Sequence, residues 1–157
     1  MADTHGFLDP AIFPYFAECD EIWHAGDFGP VEILEELESF KPFRGVWGNI
    51  DGEKVRAAVP KALQWECAGR RVYMTHIEDP RAGKEIAHYQ PGLFICGHSH
   101  ILKVTRSPGS CLHLNPGAAG QHGWHKVRTI LRFTIAEGRL SQLEAIELGP
   151  RGRLRAT

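Results

Sequence analysis

Apolar residues come along this chain in short runs, several closed by glycine, and run length is the first clue to the fold. Segments 21–25, 43–47, 71–75 and 93–96 are brief and rich in branched or aromatic side chains, so each reads as a strand. Between the first two, 30–39 places apolar residues at 31, 33, 34 and 37, the spacing of one helix face. Asp9-Pro10 predicts a helix start, with the helix running to about Cys19 and Pro14 making its first turns irregular. Further helical pieces are expected over 52–59 and 83–89, the second stopped by Pro91-Gly92. Ala62–Cys67 and 71–75 read as a hairpin across Ala68-Gly69-Arg70, and the last third is strand-rich: Leu102–Arg106, 111–115, 128–135, a turn at Glu137-Gly138, then 139–148. Early β–α alternation followed by hairpins predicts an α/β fold, two mixed sheets face to face with helices outside. One domain is expected over 1–148, with a basic tail at 149–157.

Composition narrows the function. A net charge of −1 with 43% hydrophobic residues argues against an extended nucleic-acid surface and against disorder. No apolar run approaches the roughly 20 residues of a membrane span, and no leader pattern is present, so a cytoplasmic protein is expected. The four cysteines (Cys19, Cys67, Cys96, Cys111) show no CxxC spacing; they read as reduced, buried thiols and argue against a zinc–cysteine site.

The chemistry gathers just past the strands. Gly26-Asp27 follows 21–25, Gly48-Asn49 follows 43–47, His76 follows 71–75, and Gly97-His98-Ser99-His100 follows 93–96. Asp3-Thr4-His5 is of the same kind but has only Met1-Ala2 before it. Residues i and i+2 of an extended chain share a side, so His98 and His100 can face one point. Ligand sites in α/β sheets form at the carboxyl ends of strands. Asp3, His5, Asp27, Asn49, His76, His98 and His100 therefore predict a single site. Catalytic zinc takes three protein ligands, fewer than this set offers, so two divalent ions are expected. Mixed oxygen and nitrogen donors suit manganese, iron, nickel or zinc and disfavour calcium. Two dications about 4 Å apart repel by about 17 kcal/mol at an effective dielectric near 20, so an anion must lie between them. Asp27, flanked by Gly26 and Gly29, is the expected bridge, and a metal-polarised hydroxide the expected nucleophile toward phosphorus. Asp27, Asn49 and His98 are the expected catalytic residues. Asp51 either orients a ligand or turns the chain ahead of Gly52. His24 reads as a packed strand residue, His88 as surface, His113 as core or ligand support, and Trp124 as a possible edge of the substrate cleft.

Asp-Thr-His-Gly at 3–6, Gly-Asp-Phe-Gly at 26–29, Gly-Asn-Ile-Asp at 48–51, Gly-His-Ser-His at 97–100 and Asn115-Pro116-Gly117, in that order, resemble the calcineurin-like metallophosphoesterases. The small single-domain bacterial and archaeal phosphodiesterases, relatives of the retromer's metallophosphoesterase-like subunit, look most similar. The resemblance implies a four-layer αββα sandwich and metal-dependent hydrolysis, commonly with manganese, of a small or nucleotide-like phosphodiester. It assigns Asp3, His5, Asp27 and His100 to one ion, and Asp27, Asn49, His76 and His98 to the other. It also places Asn115 close to the metals. A phosphomonoesterase, or a non-catalytic protein-binding scaffold of the same fold, is the alternative, and homo-oligomerisation is compatible with either. Two departures stand out. The larger phosphatases carry a leaving-group histidine after Gly-Asn, where this chain has Ile50. His122 or His125 could take that role or bind a phosphate oxygen, each being equally readable as a solvated loop residue. Secondly, an apolar strand normally precedes the first motif, and its shortness here predicts lower stability and a more weakly held first ion.

Overall fold

Period-two alternation along the strands sorts side chains into separate layers. In the computed structural model, which describes residues 1–106 and 111–152, a five-stranded mixed sheet has the order β3-β4-β5-β7-β6, formed by Ala62–Cys67, Arg70–Thr75, Leu93–Ile95, Leu112–Pro116 and Leu102–Arg106 respectively. Val72, Met74, Leu93, Ile95, Leu112 and Leu114 face inward to one core. Tyr73, Phe94 and Cys96 face outward and are covered by α4, Pro80–Tyr89, through Ala82, Ile86 and Tyr89.

A second layer starts from the parallel pair β1 (Ile22–His24) and β2 (Phe43–Gly45). Residues 1–3 lie beside β1: the Met1 amine donates to Trp23 O at 2.8 Å, Ala25 N to Met1 O at 2.9 Å, and Asp3 N to Gly26 O at 2.9 Å. On their other side Ala119 N and Gly120 N donate to Ala2 O and Asp3 O, both at 3.0 Å. Thr129 N then donates to Ala118 O at 3.2 Å, joining the antiparallel hairpin of β8 (Val127–Ala136) and β9 (Arg139–Pro150). So residues 1–3 occupy the strand position ahead of the first motif and alternate like a strand, with Met1 in the outer core and Ala2 in the inner core. Helices α1 (Ile12–Ala17), α2 (Val31–Phe40) and α3 (Glu53–Ala58) close the outer core over Ile22, Phe28 and Ile130. The α/β architecture of two facing sheets between helices is the one the pattern predicts.

Local differences have local causes. The first helix starts at Ile12 because Asp9 is engaged in a turn: one oxygen accepts from Ala11 N at 2.9 Å and the other pairs with Arg128. The fourth helix starts at Pro80, earlier than its apolar pattern, because Asp79 caps it by accepting from Arg81 N and Ala82 N, both at 2.8 Å. The β3–β4 turn is tight, Ala68 and Gly69 both having positive φ (45° and 81°), as a type I′ hairpin requires. The last strand reaches Pro150; of the expected tail, 153–157 lie outside the described residues. Among the described residues no helix is long and apolar enough to cross a membrane.

Candidate metal centre

The loops at the carboxyl ends of the strands meet in one place, and their backbone is unusual there. Asp3, His5, Asp27, His98 and His100 all have left-handed φ, between 46° and 66°. Such conformations cost a non-glycine residue about 1–3 kcal/mol and persist where the surroundings enforce them. Their concentration in five of the seven predicted ligands marks the place where the fold stores strain for a purpose other than packing.

One half of the site comprises Asp3, His5, Asp27 and His100, with one donor atom from each lying within 4.8 Å of all the others. His100 Nε2 is 3.2 Å from Asp3 Oδ1, and His5 Nε2 is 3.1 Å from His100 Nε2 and 3.5 Å from Asp27 Oδ2. Burial works against a charged Asp3, but hydrogen bonds from His100 and His5 outweigh it and hold its pKa at about 2. The other half is built on His76. Its Nδ1 must donate to the Ala25 carbonyl at 2.8 Å, so Nε2 points at Asn49 Oδ1 (3.0 Å) and Asp27 Oδ2 (3.2 Å). The His98 ring stands edge-on to His76, with centroids 5.3 Å apart, at the exposed rim.

This donor set fits divalent cations. With Nδ1 donating, Nε2 of neutral His76 carries a lone pair, and it faces two further oxygen acceptors. Three lone-pair centres converge stably only around a cation or a proton. The protein responds accordingly: burial favours the neutral ring, yet the Asp27 hydrogen bond and the Asp3 and Asp27 charges raise the His76 pKa overall. Asp27 is held below the ordinary carboxylate value, burial again being outweighed by the bond to His76. Bonds of about 2.1 Å place opposite ligands roughly 4.2 Å apart, close to the spread of the first cluster. An imidazole whose second nitrogen is tied to a carbonyl is also the usual form of a metal-bound histidine.

The predicted supporting residues do structural work. Asp51 is buried, and its Oδ2 accepts from Gly48 N (2.7 Å) and Asp27 N (3.0 Å) while Oδ1 accepts from Gly29 N (3.0 Å). It therefore shapes two ligand loops. Asn115 Nδ2 donates to Gly97 O (2.7 Å) and Ser99 Oγ (3.1 Å), and its Oδ1 accepts from Gly117 N (3.0 Å), fixing the loop of His98 and His100. Gly26 is obligatory, since a β-carbon there would stand 2.7 Å from His76 Nδ1. Of the two loop histidines, His122 approaches the site, its ring 5.4 Å from that of His5. His125 is exposed, and its carbonyl accepts from Arg151 Nε at 2.7 Å. Ile50 is 46% exposed, and its N–H donates to Asp27 Oδ1 at 3.1 Å.

Two structural devices carry little sequence signal. Thr4 Oγ1 contacts Phe28 O (3.1 Å) and His24 Nε2 (3.2 Å), while Gly26 N donates to His24 Nδ1 (3.1 Å). His24 is thus a fully buried neutral ring, stacked on Phe28 and with its pKa driven down, chiefly by burial. Arg151 binds the carbonyls of Gly120 (2.6 Å), Ala118 and Val127 (both 3.2 Å) and His122 as well as that of His125, pinning the loop that presents Trp124, 92% exposed. Nothing in a basic stretch after Pro150 announces that role.

Two facing mixed sheets with carboxylates and imidazoles collected at the strand ends define a metallophosphoesterase-like protein. Residues 1–138 match the calcineurin-like phosphoesterase superfamily domain, and the chain belongs to that superfamily. It is 30% identical over 129 residues to a probable metallophosphoesterase of Methanothermobacter thermautotrophicus, over 75% of this chain and 74% of that protein. A solved archaeal phosphodiesterase aligns with a TM-score of 0.75 at 22% identity, covering 94% of this chain and 97% of the other. Zinc-complexed Vps29 from Entamoeba histolytica aligns with a TM-score of 0.71 at 15% identity, covering 93% and 96%. In both comparisons the shared fold extends over nearly the whole of each chain.

Proposed function

We propose that this chain is a dinuclear divalent-metal-dependent phosphodiesterase acting on a small or nucleotide-like phosphodiester. The observation that carries the reading is the position of Asp27: its Oδ2 lies 3.5 Å from His5 Nε2 and 3.2 Å from His76 Nε2, so one anionic oxygen serves both halves of the site. Asp3, His5 and His100 complete the first half; Asn49, His76 and His98 complete the second. Manganese is the proposed metal, and the oxygen–nitrogen donor set is equally suited to iron, nickel or zinc. When bound, the two cations supply Lewis acidity toward water and the phosphoryl oxygens.

The residues themselves set the rest. Asp27 contributes the negative charge that offsets cation–cation repulsion, and its second oxygen is fixed by the Ile50 N–H. Asn49 offers a neutral oxygen, so the second half carries less negative charge than the first. His98, exposed at the rim beside His76, is the outermost proposed ligand of the second half. Ile50 can neither donate nor transfer a proton from its side chain, so diesters with good leaving groups should react fastest, with His122 as the imidazole brought near the centre. Free thiols at all four cysteines suit a reducing, cytoplasmic setting.

Metal analysis combined with turnover of bis(p-nitrophenyl) phosphate in added manganese tests this reading. Asp27→Asn keeps the shape and removes the charge, and should lose metal and at least about a hundredfold in turnover, the scale of losing one key electrostatic group. Equal turnover in both proteins would remove the mechanism. Faster hydrolysis of p-nitrophenyl phosphate than of the diester would select the monoesterase; metal binding with turnover of neither would select the scaffold.

A further inference from the structure

A second group of metal-ligand side chains lies on the outer face of the five-stranded sheet. Cys96 directly follows the third strand of that sheet in sequence, and His113 pairs in register with Phe94 on the neighbouring strand. Cys96 Sγ is 3.1 Å from His113 Nε2, which is 3.8 Å from Glu78 Oε2. The three donor atoms all lie within 4.8 Å of one another. Cys96 and His113 are buried, while the Glu78 side chain is 54% exposed and comes from the loop ahead of the fourth helix. None of the three belongs to the centre described above.

We propose that Cys96, His113 and Glu78 form a separate mononuclear site for a zinc-class divalent cation, with a fourth position open to solvent. Zinc bonds of about 2.3 Å to sulfur and 2.0–2.2 Å to nitrogen or oxygen put tetrahedral ligand atoms roughly 3.4–3.6 Å apart. The Cys96–His113 and His113–Glu78 separations of 3.1 and 3.8 Å straddle that range, so small side-chain rotations complete the geometry. Thiolate and carboxylate together neutralise a dication, and binding releases the thiol proton to solvent. Sulfur selects zinc or cobalt over manganese or magnesium, so this site, unlike the dinuclear centre, should take up little manganese. The fourth position faces a groove of about 770 Å³ that Glu78 and His113 line together with Phe94, Cys111 and Arg70.

The placement gives the site a consequence. Glu78 is two residues past His76, Cys96 two before His98, and His113 two before Asn115. Each ligand is therefore two residues from a proposed ligand of the dinuclear centre or from the Asn115 that fixes its loop, on segments that end at the same edge of the sheet. Asn115 also joins the two places directly, its Nδ2 lying 3.6 Å from Cys96 Sγ and 2.7 Å from Gly97 O. An ion here ties the His76 loop to the His98 loop from beneath. The absence of CxxC spacing does not bear on such a site, because its ligands come from three separate segments.

Cobalt titration of the reduced full chain isolates the site. Thiolate–cobalt coordination gives an intense near-ultraviolet charge-transfer band, and the dinuclear centre has no sulfur ligand. Wild type should develop that band with saturation at one thiolate-bound ion per chain. Cys96→Ser should abolish it, while Cys111→Ser and Asp27→Asn should retain it, the latter because the other centre is not its source. Glu78→Gln, at an exposed position that leaves folding intact, should weaken cobalt binding by about tenfold or more. No band in wild type at saturating cobalt, a band surviving in Cys96→Ser, or unchanged affinity in Glu78→Gln would each overturn the proposal. Equal zinc and manganese occupancy of this site would do the same.

Discussion

Asp51 is the residue on which the centre's backbone most depends, although it faces none of the ligand atoms of the metal halves. Its carboxylate accepts three backbone N–H groups, from Gly48, Asp27 and Gly29, at 2.7–3.0 Å. Replacing it by asparagine keeps the size and one oxygen. If that oxygen stays on Gly48 and Asp27, the amide NH₂ faces the Gly29 N–H, leaving one buried donor unsatisfied. A lost acceptor costs about 1–3 kcal/mol, and the two remaining bonds lose their charge assistance. The sum is about 2–3 kcal/mol, or roughly 5–10 °C in melting temperature for a chain of this size. Asp51→Ala orphans all three donors and should cost about 5 kcal/mol, a large part of the roughly 5–15 kcal/mol that a domain has in total. The damage should extend beyond stability, because Asp27 sits at φ 59° and Asp51 grips its amide. Manganese affinity should therefore fall in Asp51→Asn even though no ligand has changed. Thermal unfolding followed by circular dichroism in chelator gives the first quantity, and calorimetric titration with manganese gives the second. Glu53→Gln, at the start of the third helix, is the neighbouring control. A melting temperature for Asp51→Asn within about 2 °C of wild type, with unchanged manganese affinity, would refute the clamp.

Three further outcomes are expected. In Gly48→Ala the new β-carbon would stand 2.5 Å from the Asp27 amide nitrogen, and closer still to its carboxylate, so metal content should collapse while a control at Gly52, with open space around it, is tolerated. Arg151→Ala should leave the sheets intact but unpin the segment 118–127; hydrogen exchange there should rise and KM for the diester should increase more than kcat falls, and unchanged exchange would sink the idea. The third concerns pH in chelator. His24 stays neutral when folded, with a pKa well below 6.5, so the unfolded chain takes up a proton first as pH falls. Its contribution is complete above about 6.5 and is lost on acidification, whereas the raised His76 pKa contributes in the opposite direction, below that value. The fall in melting temperature below about 6.5 should therefore be shallower in His24→Gln than in wild type, while in His76→Gln the fall as pH rises from about 6.5 through the raised folded value should be weaker; curves parallel to wild type would contradict these signs.

Much of this protein was readable from its order of residues. Short apolar runs, each followed by an aspartate, asparagine or histidine, identified strands and the chemistry at their ends, because strand periodicity and ligand type are local properties. The outcome at residues 1–3 was not local: two neighbours, β1 and the segment 118–120, hold them in a strand position that Met1-Ala2 alone does not announce. For Asp51 the sequence leaves ligand support and a simple turn equally open until three amides from two loops converge on it. Arg151 reads as part of a loose basic tail until the carbonyls of 118–127 wrap around its guanidinium. Cys96, His113 and Glu78 share no spacing, and only the packing of β5 against β7 beneath the fourth helix brings them together. Sequence alone determined which residue types stand at strand ends; tertiary structure decided which backbone donors and distant side chains meet there, since those contacts depend on how two sheets stack and not on any repeat along the chain.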